Sequence, residues 1–239
     1  MGAGASADAG ALLILFDIDG TLLLKASTEH AVAVLEAIDE VWRVRPGERL
    51  PVEAAGRTDT EIAREILLLC GVQASTIDAR LGAFRDAAAR RYADCVPDDL
   101  TRKLAPGATR VVAELARGPH RLALVTGNLE PVARLKLARA GLVRHFEPGQ
   151  GGFGSDSEDR TDLPPLARAR AAAWNGGAPW PRERTVVVGD TPRDIACARA
   201  DGAHVVAVAT GPYAADALTG ADAVIAGLTE LPTALAAFG

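Results

Sequence analysis

Short apolar runs alternate with amphipathic stretches along most of this chain. Residues 12–16, 121–125, 185–188 and 204–209 form four nearly continuous apolar runs, which are typical of strands buried on both faces of a parallel sheet. Several of the stretches between them carry apolar residues three or four positions apart, which predicts helices packed on that sheet. The alternation of strands and helices therefore predicts an α/β fold with a doubly wound parallel sheet.

One long segment does not follow this alternation, because residues 27 to about 100 contain no convincing strand. Ala31, Leu35, Ile38 and Trp42 instead form a helical stripe. Two further stripes predict two more helices, and these consist of Ile62, Ile66 and Leu69 and of Ile77, Leu81 and Phe84. The segment is therefore predicted to be an all-helical insertion.

These patterns divide the chain into three predicted parts. Residues 1–10 are small and low in complexity, and this tail is predicted to be disordered. Residues 11–24 and 104–239 form the predicted Rossmann-like α/β core. Residues 25–103 form the helical cap, inserted between the first strand and the rest of the core.

Three of the predicted strands are followed by polar residues of related chemistry. They are Asp17 and Asp19 after the first strand, Thr126, Gly127 and Asn128 after the second, and Asp190 and Asp194 after the fourth. Because the carboxyl ends of parallel strands share one edge of a sheet, we expect these groups to converge.

The chemistry of this cluster predicts a metal and a phosphate group. Four neighbouring carboxylates cannot all stay ionised unaided, and oxygen-only ligands select a hard dication such as Mg²⁺. A phosphate group is expected beside the metal, against the Thr126 hydroxyl, the backbone N–H groups of Gly127 and Asn128, and the N-terminus of the following helix.

The same residues resemble the motifs of the haloacid dehalogenase superfamily. The run Asp-x-Asp-Gly-Thr from Asp17 matches its first motif, Thr126 its second, and Gly-Asp-x-x-x-Asp ending at Asp194 its fourth. The resemblance implies that Asp17 is the nucleophile that forms an aspartyl-phosphate and that Asp19 is the general acid and base. It also implies Mg²⁺ ligands from Asp17, the Asp19 backbone carbonyl and Asp190, with Asp194 as a further ligand or as a support for one.

The insertion resembles the helical cap of the phosphoglycolate phosphatase and β-phosphoglucomutase branch, in which a cap loop reaches the active site. By this resemblance Arg57 contacts substrate, the alternative being a solvated arginine. Arg160 stands in a stretch that resembles the third motif, where the family usually has lysine, and is expected to hold the phosphoryl group beside Asp17. The alternative for Arg160 is a surface ion pair. Lys136 is expected to face away from the site.

The combined features predict a Mg²⁺-dependent phosphatase that hydrolyses a small phosphorylated metabolite. A phosphomutase of the β-phosphoglucomutase type is the nearest alternative, because it uses the same core. A dehalogenase is less expected, since haloacid dehalogenases generally lack the second aspartate and Asp19 is present. A non-catalytic binding module would be expected to have lost a motif aspartate.

Charge and composition argue against several other partners. The net charge is −5 and no basic block is present, so nucleic acid is a poor candidate. No apolar run approaches the ~20 residues of a membrane span. Cys70, Cys95 and Cys197 are far apart and are predicted to be reduced core thiols of a cytoplasmic protein. Both a monomer and a homodimer are compatible with the sequence.

Overall fold

The computed structural model describes residues 10–47 and 52–239, and it confirms the parallel α/β core. Within the described residues the strands are β1 (Leu13–Phe16), β2 (Arg121–Thr126), β3 (Gly152–Phe153), β4 (Thr185–Gly189), β5 (His204–Val208) and β6 (Ala223–Ile225). The predicted tail at residues 1–10 lies outside the described residues except for Gly10.

All six strands are parallel, in the order β3-β2-β1-β4-β5-β6. The first strand lies at the centre of the sheet, where Phe16 aligns with Leu124 of β2 and with Val188 of β4. The segments that follow these three strands therefore begin at the same edge. This register is what brings the predicted site residues together.

Helices cover both faces of the sheet, as the doubly wound prediction requires. The helices of the described residues are α1 (Thr28–Trp42), α2 (Asp59–Leu69), α3 (Ala74–Asp78), α4 (Leu81–Cys95), α5 (Ala108–Arg117), α6 (Glu130–Arg139), α7 (Leu163–Arg170), α8 (Pro192–Asp201) and α9 (Leu231–Leu235). Helices α5, α6 and α9 cover one face of the sheet, and α7 and α8 cover the other. Side chains of β1 alternate between the faces: Leu13 and Leu15 pack in the core formed with α7 and α8, and Ile14 and Phe16 in the core formed with α5, α6 and α9.

The described part of the insertion contains four α-helices and no strand of the sheet. Helices α1 and α4 pack together, with the rings of Trp42 and Phe84 5.9 Å apart. The two segments that connect the insertion to the core run side by side, because Leu24 N–H donates to the Lys103 carbonyl at 2.7 Å and Ala105 N–H to the Leu22 carbonyl at 2.9 Å. The division into core and cap at residues 24–25 and 103–104 stays a prediction.

The packing of the cap differs from the predicted stripes at particular positions. The stripe from Ile77 to Phe84 belongs to two helices, α3 and α4, because the chain breaks between them. Leu35 is 40% exposed and Leu69 is 54% exposed, so neither lies in the core. The buried face of α1 is instead rotated toward Ala33 and Ala37, which leaves Leu35 on the side of the helix that faces the active-site edge.

The cysteine prediction is correct in one respect and wrong in another. All three cysteines are free, but only Cys197 is buried, whereas Cys70 and Cys95 are exposed. The two exposed thiols lie at the C-terminal ends of α2 and α4, where the chain leaves the packed helix face. No helix in the described residues is long and apolar enough to cross a membrane.

Candidate active site

The centre of the site is the tight turn that follows β1. Asp17 is 5% exposed, and its N–H continues the sheet by donating to the Val188 carbonyl at 2.9 Å. Gly20 has a φ of +91°, and a Cβ there would lie 2.1 Å from Oδ2 of Asp190, so the close approach requires glycine. The Thr21 hydroxyl donates to Oδ1 of Asp190 at 3.2 Å, which ties the β1 turn to the end of β4.

Arg160 reaches this centre from the short 3₁₀ turn Arg160–Asp162. Its Nη2 lies 2.9 Å from Oδ1 of Asp17 and 2.5 Å from Oδ1 of Asp194, and its Nη1 donates to the Gly56 carbonyl at 3.2 Å. The side chain is only 6% exposed, so the alternative of a surface ion pair is wrong. The structure places a permanent cation directly beside the expected nucleophile.

Asp194 and Asp190 are held differently, although they lie four residues apart. Both carboxylate oxygens of Asp194 are engaged, one by Arg160 and the other by the Thr191 N–H at 3.0 Å and hydroxyl at 2.7 Å. Oδ2 of Asp190 is buried and has no hydrogen-bond partner among the described residues. This difference favours the supporting role for Asp194 and leaves Asp190 with a free buried oxygen.

Lys136 does not face away from the site, contrary to the prediction. It is fully buried, and its Nζ lies 2.5 Å from Oδ2 of Asp19, 2.7 Å from Oδ1 of Asn128 and 3.2 Å from Nδ1 of His30. A buried ammonium group needs such partners, because leaving it unpaired in the interior would cost several kcal/mol. The carboxylate of Asp19 supplies the compensating charge.

The sequence contains a signal for this burial that the prediction overlooked. Lys136 follows Val132 by four residues and Ala133 by three, so the three side chains share one face of α6. Both apolar residues are buried. A lone lysine within a buried helical face requires a carboxylate partner, and Asp19 is the one that the fold brings to it.

The polar residues that follow β2 serve the site mainly through hydrogen bonds to one another. The side-chain amide of Asn128 donates to Oδ2 of Asp19 at 2.8 Å and to Oγ1 of Thr126 at 2.7 Å. The Asn128 side chain is therefore used to position Asp19. Because the buried Thr126 hydroxyl accepts from Asn128, its own proton stays available to donate to an anion.

The N-terminus of α6 is not open to a phosphate group, so that part of the prediction is wrong. Leu129 N–H donates to Oδ2 of Asp59 at 2.8 Å, and Glu130 N–H donates to the Ser155 hydroxyl at 2.7 Å. These two contacts satisfy N–H groups that a helix otherwise leaves unpaired at its start. The cap residue Asp59 occupies the place that an anionic ligand was expected to take.

His30 and Asp59 connect the predicted cap to the core, and sequence reasoning missed both. His30 Nε2 lies 3.0 Å from Oδ2 of Asp59, while its Nδ1 faces the Lys136 ammonium. Because an ammonium can only donate, Nδ1 accepts and Nε2 carries the hydrogen that is donated to Asp59. Asp59 N–H also donates to the Gly127 carbonyl at 2.8 Å. No sequence spacing marks this link, since it joins four separate segments.

Arg57 lies in the loop before α2, and the loop reaches the site through its backbone. A Cβ at Gly127 would lie 1.9 Å from the Arg57 carbonyl oxygen, so the cap loop touches the end of β2. The guanidinium group turns to α2, where it pairs with Glu65 and lies 3.4 Å from Oε1 of Glu61. Substrate binding by Arg57 stays a prediction.

Burial and mutual repulsion raise the pKa values of two carboxyl groups. Burial, opposed by Arg160 and reinforced by Asp194 and Asp19, raises the pKa of Asp17 to about 7. Burial, reinforced by Asp17 and Asp194, raises the pKa of Asp190 to about 8. Negative charge at this edge is therefore incompletely balanced by the protein alone.

The two cations have the opposite effect on their neighbours. Burial alone would raise the pKa of Asp19, but the charge of Lys136 and the hydrogen bonds from Lys136 and Asn128 outweigh it and lower that pKa below its usual value. The pKa of Arg160 is raised because its two carboxylate partners outweigh the burial of its guanidinium group. In the metal-free protein Asp17 therefore favours its neutral form and Asp19 its ionised form, so a cation bound beside Asp17 is needed to ionise the expected nucleophile.

The donor set fits a magnesium ion, although the described residues contain no preformed cluster of three or more His, Cys, Asp or Glu ligands. Oδ2 of Asp190 and Oδ1 of Asp19 are both buried, and neither has a hydrogen-bond partner in the described part of the chain. The raised pKa values of Asp17 and Asp190 indicate that a further positive charge would be stabilising. All of these donors are oxygen atoms, which a hard cation prefers.

A cavity of about 710 Å³ opens onto this edge of the sheet. Asp17, Asp19, Thr126, Arg160 and Asp190 line its inner end, and the rest is lined by cap residues together with core residues such as those at 210–212. The groups that could carry out chemistry therefore lie at the bottom of a pocket rather than on an open surface.

The raised pKa values predict how the stability of the metal-free protein depends on pH. The folded carboxyl groups keep protons that the unfolded chain loses above pH ~4, so stability falls as pH rises toward 8. Asp190→Asn removes one of these groups, so its stability should fall less as the pH rises. Between pH 5 and pH 9 in chelator, the fall in melting temperature should be at least about 3 °C smaller for Asp190→Asn than for the parent. Exposed Asp216→Asn is the control. Parallel pH courses for parent and Asp190→Asn would contradict the assignment.

The Lys136–Asp19 contact predicts a strong coupling in stability. Lys136→Met leaves a carboxylate without its buried partner and should lower the free energy of unfolding by about 3 kcal/mol at pH 7. The double variant Lys136→Met/Asp19→Asn should recover most of that loss, as measured by denaturant unfolding in a double-mutant cycle. Additive losses would show that the two side chains do not stabilise each other.

Comparison with known proteins identifies the family. The chain is 30% identical over 208 residues to tyrosine-protein kinase PtkA of Mycobacterium tuberculosis, covering 85% of this chain but 64% of PtkA, so it spans just under two thirds of that relative. It is 30% identical over 210 residues to phosphoglycolate phosphatase of Mesorhizobium japonicum, covering 83% of each.

Solved structures agree on the fold. A putative β-phosphoglucomutase from Bacteroides vulgatus superposes with a TM-score of 0.66 at 20% identity, covering 98% of this chain and 92% of that one. The model of the haloacid dehalogenase-like hydrolase family matches residues 14–199, and these include every motif residue at the sheet edge. The chain therefore belongs to the haloacid dehalogenase-like hydrolase family.

Proposed function

We propose that this chain is a Mg²⁺-dependent phosphatase that hydrolyses a small phosphorylated metabolite through an aspartyl-phosphate on Asp17. The observation that carries the proposal is the convergence of Asp17, Asp19, Arg160 and Asp190 at the inner end of one cavity. A relative named phosphoglycolate phosphatase, covered over 83% of its length, supports the same reaction class. PtkA is named a kinase, and its activity is not transferred to a chain that spans 64% of it.

In the first half-reaction, Asp17 attacks phosphorus and the alcohol leaves. The contact between Arg160 and Asp17 keeps a cation where the attacking carboxylate and the phosphoryl oxygens meet. Arg160 can bind such oxygens with two N–H groups and stays charged at any working pH. Asp19 donates a proton to the leaving oxygen, and the Thr126 hydroxyl donates to a phosphoryl oxygen.

In the second half-reaction, Asp19 takes a proton from water, which attacks the phosphoryl group on Asp17 and releases phosphate. Asn128 and Lys136 hold Asp19 in place for both proton transfers. The pKa of Asp19, lowered mainly by Lys136 against the effect of burial, favours the carboxylate that acts as base in this step.

The Asp17 carboxylate, the Asp19 backbone carbonyl and Asp190 would hold Mg²⁺, which supplies the positive charge that offsets the anionic substrate and carboxylates. Asp194 acts by holding Arg160 against Asp17. The cap, residues 25–103, closes over the cavity by movement near residues 22–26 and 100–106 and excludes bulk water.

The first test of this proposal uses the nucleophile and the metal together. Phosphate-ester hydrolysis should be lost in excess chelator, return with Mg²⁺, and be at least 10³-fold lower in Asp17→Asn, because the amide cannot accept the phosphoryl group. Asp216→Asn, on the exposed surface, should keep the parent rate.

Two outcomes of that test would reject the phosphatase. Substantial turnover by Asp17→Asn would remove the aspartyl-phosphate from the mechanism. Turnover of sugar phosphates only in the presence of a sugar bisphosphate activator would instead identify a phosphomutase.

The second test concerns Arg160. Arg160→Ala should lower kcat/KM by about 10²-fold, which corresponds to about 2.7 kcal/mol of transition-state stabilisation. Arg160→Lys should recover part of that loss, because it restores the charge but not the paired N–H groups. Parent-like kinetics in Arg160→Ala would show that the cation beside Asp17 has no part in the reaction.

A further inference from the structure

The cavity has two chemically different ends. Its inner end carries the carboxylates, the Thr126 hydroxyl and Arg160, which suit a phosphate group bound with a metal. Among the described residues, its outer wall includes the hinge segment (residues 22–26), helices α1 and α2, and parts of the loop segments 46–47, 52–57 and 210–212. The wall residues that the following argument uses are Leu24, Ala31, Val34, Leu35, Ile62 and Ile66. All six are aliphatic.

Two of these positions are unusual for apolar side chains on a helix. Ala31 and Leu35 are exposed and lie one turn apart on the same face of α1, although their spacing predicts a core stripe. Leu35 is 40% exposed. Because both line the cavity, their exposed surface is available to a molecule bound there. An apolar ligand would remove that surface from water.

Apart from Lys25, the charged cap side chains that the structure describes around the cavity are already paired. Arg57 forms ion pairs with Glu61 and Glu65, although its buried Nε has no hydrogen-bond partner among the described residues. His30 and Asp59 are hydrogen-bonded to each other, and Asp59 also accepts a hydrogen bond from the Leu129 N–H. Among the described residues that line the outer wall, Lys25 is the remaining cation, and it is an exposed side chain of the hinge segment.

This arrangement does not favour a substrate with a second anionic group. A carboxylate next to the phosphate would have to displace Glu61 or Glu65 from Arg57, or reach outward to Lys25. A sugar would place several hydroxyl groups against aliphatic side chains that offer them no hydrogen bonds, which is costly in a buried site. An alkyl group meets neither obstacle.

We propose that the substrate is the phosphate monoester of an uncharged, predominantly aliphatic alcohol, whose alkyl part packs between α1 and α2. The inference rests on the proposed phosphatase activity and specifies its substrate class. Each methylene group transferred from water to an apolar surface improves binding by up to about fourfold. The specificity constant should therefore increase with alkyl length until the cavity is filled.

The first experiment compares esters at fixed Mg²⁺. We expect kcat/KM to rise two- to fourfold per methylene from ethyl to hexyl phosphate, and hexyl phosphate to exceed phosphoglycolate and glucose 6-phosphate by at least tenfold. Hydrolysis with no dependence on alkyl length, or with phosphoglycolate or the sugar phosphate preferred, would overturn the substrate class while leaving the phosphatase intact. Failure to hydrolyse any of the esters would reject the phosphatase as well.

The second experiment tests the wall itself with a matched pair of variants on α1. Leu35→Gln should lower kcat/KM for hexyl phosphate at least fivefold and leave ethyl phosphate within twofold. Val32→Gln is the control, because Val32 is 46% exposed on the same helix but does not line the cavity. Equal effects of the two substitutions would contradict a role for this wall.

The third experiment measures binding without turnover. Calorimetry should show that hexylphosphonate binds the Mg²⁺-loaded protein more tightly than methylphosphonate and with a more negative heat-capacity change, the mark of apolar burial. Leu35→Arg should weaken hexylphosphonate binding and strengthen phosphonoacetate binding at least fivefold, because it adds an unpaired cation to the wall. The proposal would be overturned if the parent protein bound phosphonoacetate more tightly than hexylphosphonate and Lys25→Met abolished that preference. That result would indicate a substrate with a second anionic group.

Discussion

The arrangement of this molecule depends on buried negative charge at one edge of a parallel sheet. Asp17, Asp190 and Asp194 lie together in a region from which most water is excluded, and ionised carboxylates are costly there unless they are paired. Arg160 pairs with two of them, while Oδ2 of Asp190 has no partner in the described chain. The same imbalance that weakens the metal-free fold is what the proposed Mg²⁺ ion would offset.

The two buried cations divide the carboxylates into groups with different chemistry. Arg160 comes from a loop beyond β3 and contacts Asp17, whereas Lys136 comes from α6 and contacts Asp19. The pKa of Asp17 is raised, chiefly by burial, and that of Asp19 is lowered because Lys136 and the hydrogen bond from Asn128 outweigh burial. Two aspartates that are separated by one residue thus receive distinct protonation behaviour from distant parts of the chain.

The sequence predicted those features that depend on local pattern. Apolar runs located β1, β2 and β4, and the parallel rule then placed Asp17 and Asp190 at a common edge. Lys136 was misplaced because its partner Asp19 lies 117 residues away, and a helical pattern alone does not say which charge will meet it. His30 was missed for the same reason, because its role arises only where α1 meets Asp59 of α2 and Lys136 of α6.

One apolar side chain of the cap, Leu35, is exposed where the sequence pattern predicts burial. Leu35 belongs to an apolar stripe and would be assigned to a core by its spacing, yet it is 40% exposed. The loop that carries Arg57 reaches the site through its backbone, while the Arg57 side chain forms ion pairs with Glu61 and Glu65. The loop therefore brings no unpaired charge to the site from that side chain. The exposed apolar surface of Leu35 and the neutralised charge of Arg57 both favour an apolar group over a charged one. In the proposed phosphatase, the core would recognise the phosphate group that all substrates of such a site share, and the cap would discriminate by the polarity of what is attached to it.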